Sequence, residues 1–188
     1  MSDTVHTDPS DLDPHALVTS VARQALERFL AEGRLVLPGE MPPLPELPAR
    51  AGVFVSLHDR EGNLRGCVGT FLPTRPTVWE EIAVNAVAAA TQDPRFSPVQ
   101  PEELPHLHIK VDILSPPEPV QSLDELDPRR YGILVVNGAR RGLLLPDIPG
   151  VETVEQQLAI ARQKAFIDSD EPAEVYRFTV RRFTEPAK

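Results

Sequence analysis

The stretch Val53–Phe71, "VFVSLHDREGNLRGCVGTF", decides the fold. Val53, Val55 and Leu57 alternate with Phe54, Ser56 and His58, the two-residue period of a strand with one buried face; "DREGN" supplies turn residues, and Leu64–Phe71 resumes the extended pattern. The spacing predicts a hairpin. In its second strand Arg65, Cys67, Gly69 and Phe71 share one face and Leu64, Gly66 and Val68 the other, so Arg65 and Cys67 are same-face neighbours about 7 Å apart. Cys67 is the only cysteine in 188 residues, and the glycines beside it weaken an ordinary strand unless something approaches the backbone closely.

Helical patterns flank this hairpin. Asp13-Pro14 offers an N-cap and a first-turn proline for a helix running to about Gly33, with Leu17, Val21, Ala25, Phe29 and Leu30 as its apolar face. "LPGEMPPLPELPAR" (37–50) is too rich in proline for regular helix and reads as a stiff extended connector. "TVWEEIAVNAVAAATQD" (77–93) opens with the capping pair Thr77 and Glu80, buries Val78, Ile82 and Ala86, and must end near Asp93-Pro94. "HLHIKVDILS" (106–115) alternates as a strand. "YGILVVNGARRGLLLP" (131–146) reads as a second hairpin with a type I′ turn at Asn137-Gly138. A third capped helix follows Thr153, with Val154, Leu158, Ala161 and Ala165 inward, and "VYRFTVRRF" (175–183) reads as one closing strand. No internal repeat is visible. Hairpins with interspersed helices indicate an α+β fold, an antiparallel or mixed β-sheet with flanking helices. Residues 1–12 read as a flexible acidic tail and 14–184 as a single domain.

Composition narrows the function. A net charge of −9 argues against broad binding to nucleic-acid backbones. No apolar run approaches the ~18 residues of a membrane span, and the acidic start lacks a secretory pattern, so the expected location is cytoplasmic with no membrane contact. One cysteine excludes a disulfide framework and a four-cysteine zinc site. His106 and His108 are spaced to share a strand face, but no partner at a recognisable spacing completes a ligand set, so no metal site is expected. Ser56-Leu57-His58 carries no nucleophile-elbow pattern, and no Walker or Rossmann loop is present, so no motif supports a hydrolase, kinase or dehydrogenase, and the cofactor is unknown.

The motifs "LRGCVG" (64–69), "DPRF" (93–96), "PEEL" (101–104) and "RRGLLLP" (140–146), in this order, resemble the AMMECR domain family over Pro14 to Phe183. Its prokaryotic members are known as protein A of the AmmeMemoRadiSam system. The resemblance implies an antiparallel sheet with a smaller appended lobe. It implies partnership with a Memo-type protein, related to extradiol dioxygenases, and with a radical S-adenosylmethionine protein. It implies no established reaction; nucleotide or nucleic-acid binding is among the proposals for the family. Many relatives carry a further cysteine in the third-helix region, where this chain reads "QLAIARQKAF".

On these motifs rest three readings. Cys67 is a candidate nucleophile or redox centre, because a cationic neighbour such as Arg65 favours the thiolate; the alternative is a packing residue. Arg65, Arg95 and Arg141, with Gly66 and Gly69 exposing backbone, form a candidate pocket for a small anionic ligand, since guanidinium groups bind phosphate or carboxylate in two-pronged fashion. The alternative is that the arginines pair with structural carboxylates such as Asp93, Glu80 or Glu81. In the third reading the domain is a non-catalytic adaptor docking its Memo-type partner.

Overall fold

The computed structural model describes residues 13–39, 41, 44 and 47–186; the expected acidic tail lies outside the described residues. The chain divides into two compact units, residues 1–112 with 182–188 and residues 113–181. Helix α1 (Pro14–Glu32) opens the first. Asp13 caps it by accepting the His15 N–H, and Gly33 ends it in left-handed geometry. Its buried stripe is Val18, Val21, Ala22, Ala25 and Leu26, so the helix is rotated relative to the expected face, and Leu17, Phe29 and Leu30 are only half-buried.

Strands β1 (Val53–His58) and β2 (Leu64–Thr70) form the expected antiparallel hairpin. Val53, Val55 and Leu57 are fully buried on the face that meets helix α2 (Val78–Thr91), which also packs on α1. Pressed from two sides, α2 is buried over most of its surface, including two polar side chains that earn their place by hydrogen bonding. Glu81 accepts from the hydroxyls of Thr70 and Thr74 and from the backbone N–H groups of Thr74 and Arg75, and Asn85 donates to the Val53 carbonyl. Strand β3 (His108–Leu114) follows. His106 ends a separate 3₁₀ turn, so the two histidines do not share a strand.

The second unit is built on β4 (Glu118–Pro119), β5 (Gly132–Asn137), β6 (Arg140–Leu144), helix α3 (Val154–Ala165) and β7 (Glu174–Phe178). Ile133, Val135, Leu144, Ala161 and Ala165 are at its core. The β5–β6 turn is shifted by one residue from the sequence expectation. Asn137 pairs with Arg140, and Gly138, at φ 60°, takes the first central position. Ala139 does not share a positive φ, which excludes type I′.

The expected single closing strand is two. After β7 the chain passes Thr179, which exchanges hydrogen bonds with Ser115, and continues as β8 (Val180–Thr184). The sheet orders are β2-β1-β3-β8 and β4-β7-β5-β6.

This topology contains a repeat that the sequence does not announce. β1-β2-α2-β3 and β5-β6-α3-β7 are the same hairpin–helix–strand unit, and the strand after each, β4 and β8, joins the sheet of the other repeat. Gly142 is as far along the chain from Gly66 as Thr153 is from Thr77. Both threonines cap their helices. Both glycines let a helix carbonyl touch the strand: a Cβ on Gly66 would stand 2.2 Å from the Ala89 oxygen, and one on Gly142 1.9 Å from the Ala161 oxygen.

Candidate functional site

β2 is an edge strand, and its sequence determines what covers it. A bulge interrupts the ladder between Leu57 and His58: Leu57 pairs with Gly66 but His58 with Leu64, leaving Arg65 as the extra residue. The released side chain turns to the "PEEL" segment. Arg65 Nε and Nη2 grip both oxygens of Glu103 at 2.8 and 3.0 Å, and Nη1 donates to the Ser97 carbonyl at 3.0 Å. These hydrogen bonds hold the Glu103 carboxyl below its ordinary range.

Two residues on, the Cys67 N–H donates to Asp93 Oδ2 at 2.8 Å. Asp93 ends α2 in the "DPRF" turn, and its side chain is 3% exposed. The same carboxylate accepts from the Arg95 backbone N–H and from Arg95 Nε and Nη2, at 3.1, 2.9 and 2.7 Å. The Arg95 guanidinium is the main cause that drives the Asp93 carboxyl far below the usual carboxylate value, outweighing burial, with the Cys67 N–H adding to it. Asp93 in turn raises the Arg95 pKa, and the Cys67 sulfur adds a smaller charge attraction of the same sign. Phe96 lies beneath both guanidinium groups, 5.9 Å from Arg65 and 5.5 Å from Arg95.

The structure therefore brings Arg65, Gly66, Cys67, Gly69 and Arg95 onto one stretch of strand and its adjoining turn. Both arginines are committed to carboxylates, Arg95 to Asp93 as anticipated and Arg65 to Glu103; Glu81 holds the 70–75 loop instead. Arg95 keeps its Nη1 edge clear of Asp93 on a side chain that is 56% exposed. Cys67 is half-buried. The space over Gly66 is taken by the Ala89 carbonyl and that over Gly69 by the ring of Phe54, its cross-strand partner. Arg141 is in β6 of the second unit, exposed and opposite Val136. Among the described residues no group of three or more His, Cys, Asp and Glu side chains is placed to hold a metal ion. No helix among them is long and apolar enough to cross a membrane.

On the same face of the hairpin, Ser56 is the ladder partner of Cys67. His58 Nε2 is 3.1 Å from Ser56 Oγ and its Nδ1 is 3.2 Å from the Gly62 carbonyl. The sequence offered only a Ser-x-His spacing here, with no motif to mark it.

Comparison with known proteins places this arrangement in a family. A Thermotoga maritima protein is 55% identical over 163 residues, covering 86% of this chain and 94% of its own length. A Clostridium acetobutylicum protein is 40% identical over 186 residues; 97% of this chain matches only 38% of that longer protein. The crystal structure of the uncharacterised protein PH0010 from Pyrococcus horikoshii superposes with a TM-score of 0.82 at 33% identity, over 93% of this chain and 95% of that one. The AMMECR1 family model matches residues 19–183, which spans the helix-backed hairpin, the Asp93 turn and the second unit alike, and the chain belongs to the AMMECR1 family.

Proposed function

We propose that this AMMECR1 domain holds a small anionic group at the outer edge of Arg95, beside the Cys67 thiol, and works with a Memo-type protein and a radical S-adenosylmethionine protein. One observation carries the reading: a single buried carboxylate, Asp93, fixes both the backbone of Cys67 and the guanidinium of Arg95. A cation so placed favours thiolate, and its free edge is a ready anion contact. Arg65 shapes the site through Glu103 and Phe96 and is not itself available to a ligand. The partnership is supported by family membership and by the Clostridium relative, in which the matching region is a minor part of a longer chain.

The test is the rate of iodoacetamide alkylation of native protein against pH, with and without phosphate and small carboxylates. The thiol is expected to titrate below its usual ~8.5. Arg95→Met should slow alkylation at pH 7 by up to about fivefold, because an exposed charge pair is worth up to ~1 kcal/mol. Phosphate should protect Cys67 and raise the melting temperature, as any ligand of the native state must. Equal rates in the two proteins, with no protection by tens of millimolar anion, would refute the site. Co-purification with the two partner proteins tests the partnership; a complex that forms while the anion arm fails would favour the adaptor reading.

A further inference from the structure

The strand face that carries Cys67 holds a second arrangement, independent of Arg95. His58 faces two groups, and their chemistry fixes its tautomer. The Gly62 carbonyl at 3.2 Å can only accept, so Nδ1 bears the hydrogen; Nε2 then presents its lone pair to Ser56 Oγ at 3.1 Å, and the Ser56 hydroxyl donates to it. The turn that offers the Gly62 carbonyl is itself pinned. The Asp59 side chain accepts from the N–H groups of Glu61 and Asn63 and from the Asn63 amide, and the Gly62 N–H donates to the Asp59 carbonyl. A hydroxyl directed at a base, and a base oriented by a third group, is the geometry of an activated nucleophile.

The hairpin itself does not require these residues. Superposing the repeats on Gly66 and Gly142 puts Leu134 in the place of Ser56, Val136 in that of His58 and Leu143 in that of Cys67. The second hairpin folds without the bulge and with apolar side chains at all three positions, so the polar set in the first is an addition to the fold rather than a condition of it.

We propose that Ser56 is a nucleophile and His58 its general base, serving acyl transfer from an ester-like substrate. Ser56 Oγ attacks the carbonyl carbon while its proton passes to His58 Nε2. The bond to the leaving oxygen breaks as that oxygen takes the proton back, and water then hydrolyses the acyl-serine by the reverse use of the same base. Asp59 is a positioning residue acting through the Gly62 carbonyl. Burial is the main cause that lowers the His58 pKa, and Lys110 and Arg182 act in the same direction against the opposing Gly62 hydrogen bond and Asp59, which keeps the imidazole neutral near pH 7.

The experiment uses a fluorophosphonate probe on the full chain. Ser56 Oγ forms the P–O bond, the P–F bond breaks, fluoride leaves and the proton goes to His58. Expected is a single adduct mapped to Ser56, absent in Ser56→Ala. Its rate should rise through a pKa below the ordinary ~6.5 of histidine and fall by at least about 100-fold in His58→Gln. Melting curves check that each variant folds, and Asp59→Asn provides a milder perturbation, expected to slow labelling and shift the pH profile. No adduct on Ser56 at millimolar probe, or equal rates in folded wild type and His58→Gln, would overturn the proposal. Alkylation of Cys67 in the same samples reads the anion site separately, so either proposal can fail alone.

Discussion

Asp93→Asn keeps the shape of the side chain and removes its charge. In the native protein Oδ1 accepts from the Arg95 N–H and Nε, and Oδ2 from the Cys67 N–H and Arg95 Nη2. An amide has one acceptor, so whichever way it turns, its NH₂ group faces donors it cannot satisfy. Leaving a buried backbone N–H without an acceptor costs about 1–3 kcal/mol. The Arg95 guanidinium is 56% exposed and screened by water, so its loss adds only about 0.5–1 kcal/mol. The expected destabilisation at pH 7 is about 2–3 kcal/mol, a drop of about 4–12 °C in melting temperature for a protein of this size.

The sign of the pH dependence follows from linkage. The folded Asp93 carboxyl titrates well below its unfolded value of about 3.9, so the folded state binds fewer protons in acid. Its contribution is complete above the unfolded pKa and drains away as pH falls toward the folded one. Asparagine does not titrate, so the gap between wild type and variant should narrow between pH 5 and pH 3. Urea titrations followed by Trp79 fluorescence read this directly, since Trp79 is the only tryptophan, is buried, and belongs to the helix that leads into the Asp93 turn. A gap under about 0.5 kcal/mol at pH 7, or one that stays constant down to pH 3, would refute the reasoning.

Three further outcomes are expected. Gly66→Ala and Gly142→Ala each drive a methyl into a helix carbonyl at about 2 Å, and both should cost about 3 kcal/mol or more in urea melts; tolerance of either would mean its strand–helix contact is looser than described. Glu81→Gln leaves buried donors of the 70–75 loop unsatisfied and should cost about 2–4 kcal/mol at pH 7; the loss should be smaller in acid, because burial raises the Glu81 pKa but the Thr70, Thr74 and Arg75 hydrogen bonds lower it further. Phe166 caps α3 at φ 55° while 85% exposed, so Phe166→Gly should stabilise by about 0.5–1 kcal/mol in thermal melts despite removing a large apolar side chain.

What could be read in the sequence is what local chemistry controls. Asp13, Thr77 and Thr153 cap their helices through their own side chains, and β1 has the expected faces because alternation against a helix leaves no other solution. The α1 face departs from expectation because Thr19 and Ala22, both buried, carry little hydrophobic signal. The break at Thr179 leaves no trace in the period, since β7 and β8 are both extended and only the exchange with Ser115 marks the change of sheet. At the site, Asp93 and Arg95 were legible as a local turn. Glu103 is far from Arg65 in sequence, so spacing could not pair them; Ser56 and His58 share a strand face by spacing, but no motif marks the hydrogen bond between them. The repeat stayed hidden because the residues it shares are few: an arginine-glycine pair, a capping threonine and a helix small enough to touch the strand.

That repeat separates what supports the fold from what remains to be explained. In the first unit Arg65 grips Glu103 in the segment after α2 and donates Nη1 to the Ser97 carbonyl. In the second, Arg140 grips Glu171 in the segment after α3 and donates Nη1 to the Phe166 carbonyl. The two arginines do not share a register position: Arg65 is the extra residue of the bulge, directly before Gly66, whereas Arg140 is paired in the ladder with Asn137, two residues before Gly142. An arginine that ties the post-helix segment back to the hairpin is thus a common device of both units, and its appearance in the first needs no ligand to account for it. In the second unit Leu143 stands at the register position of the thiol, and the cap of α3 is the left-handed Phe166 where α2 has Gln92 followed by the buried Asp93. The second hairpin folds without these groups, so the thiol, the carboxylate that fixes its backbone and the guanidinium beside it are the part of the first unit that its repeat does not account for, and it is on them that the proposed anion site rests.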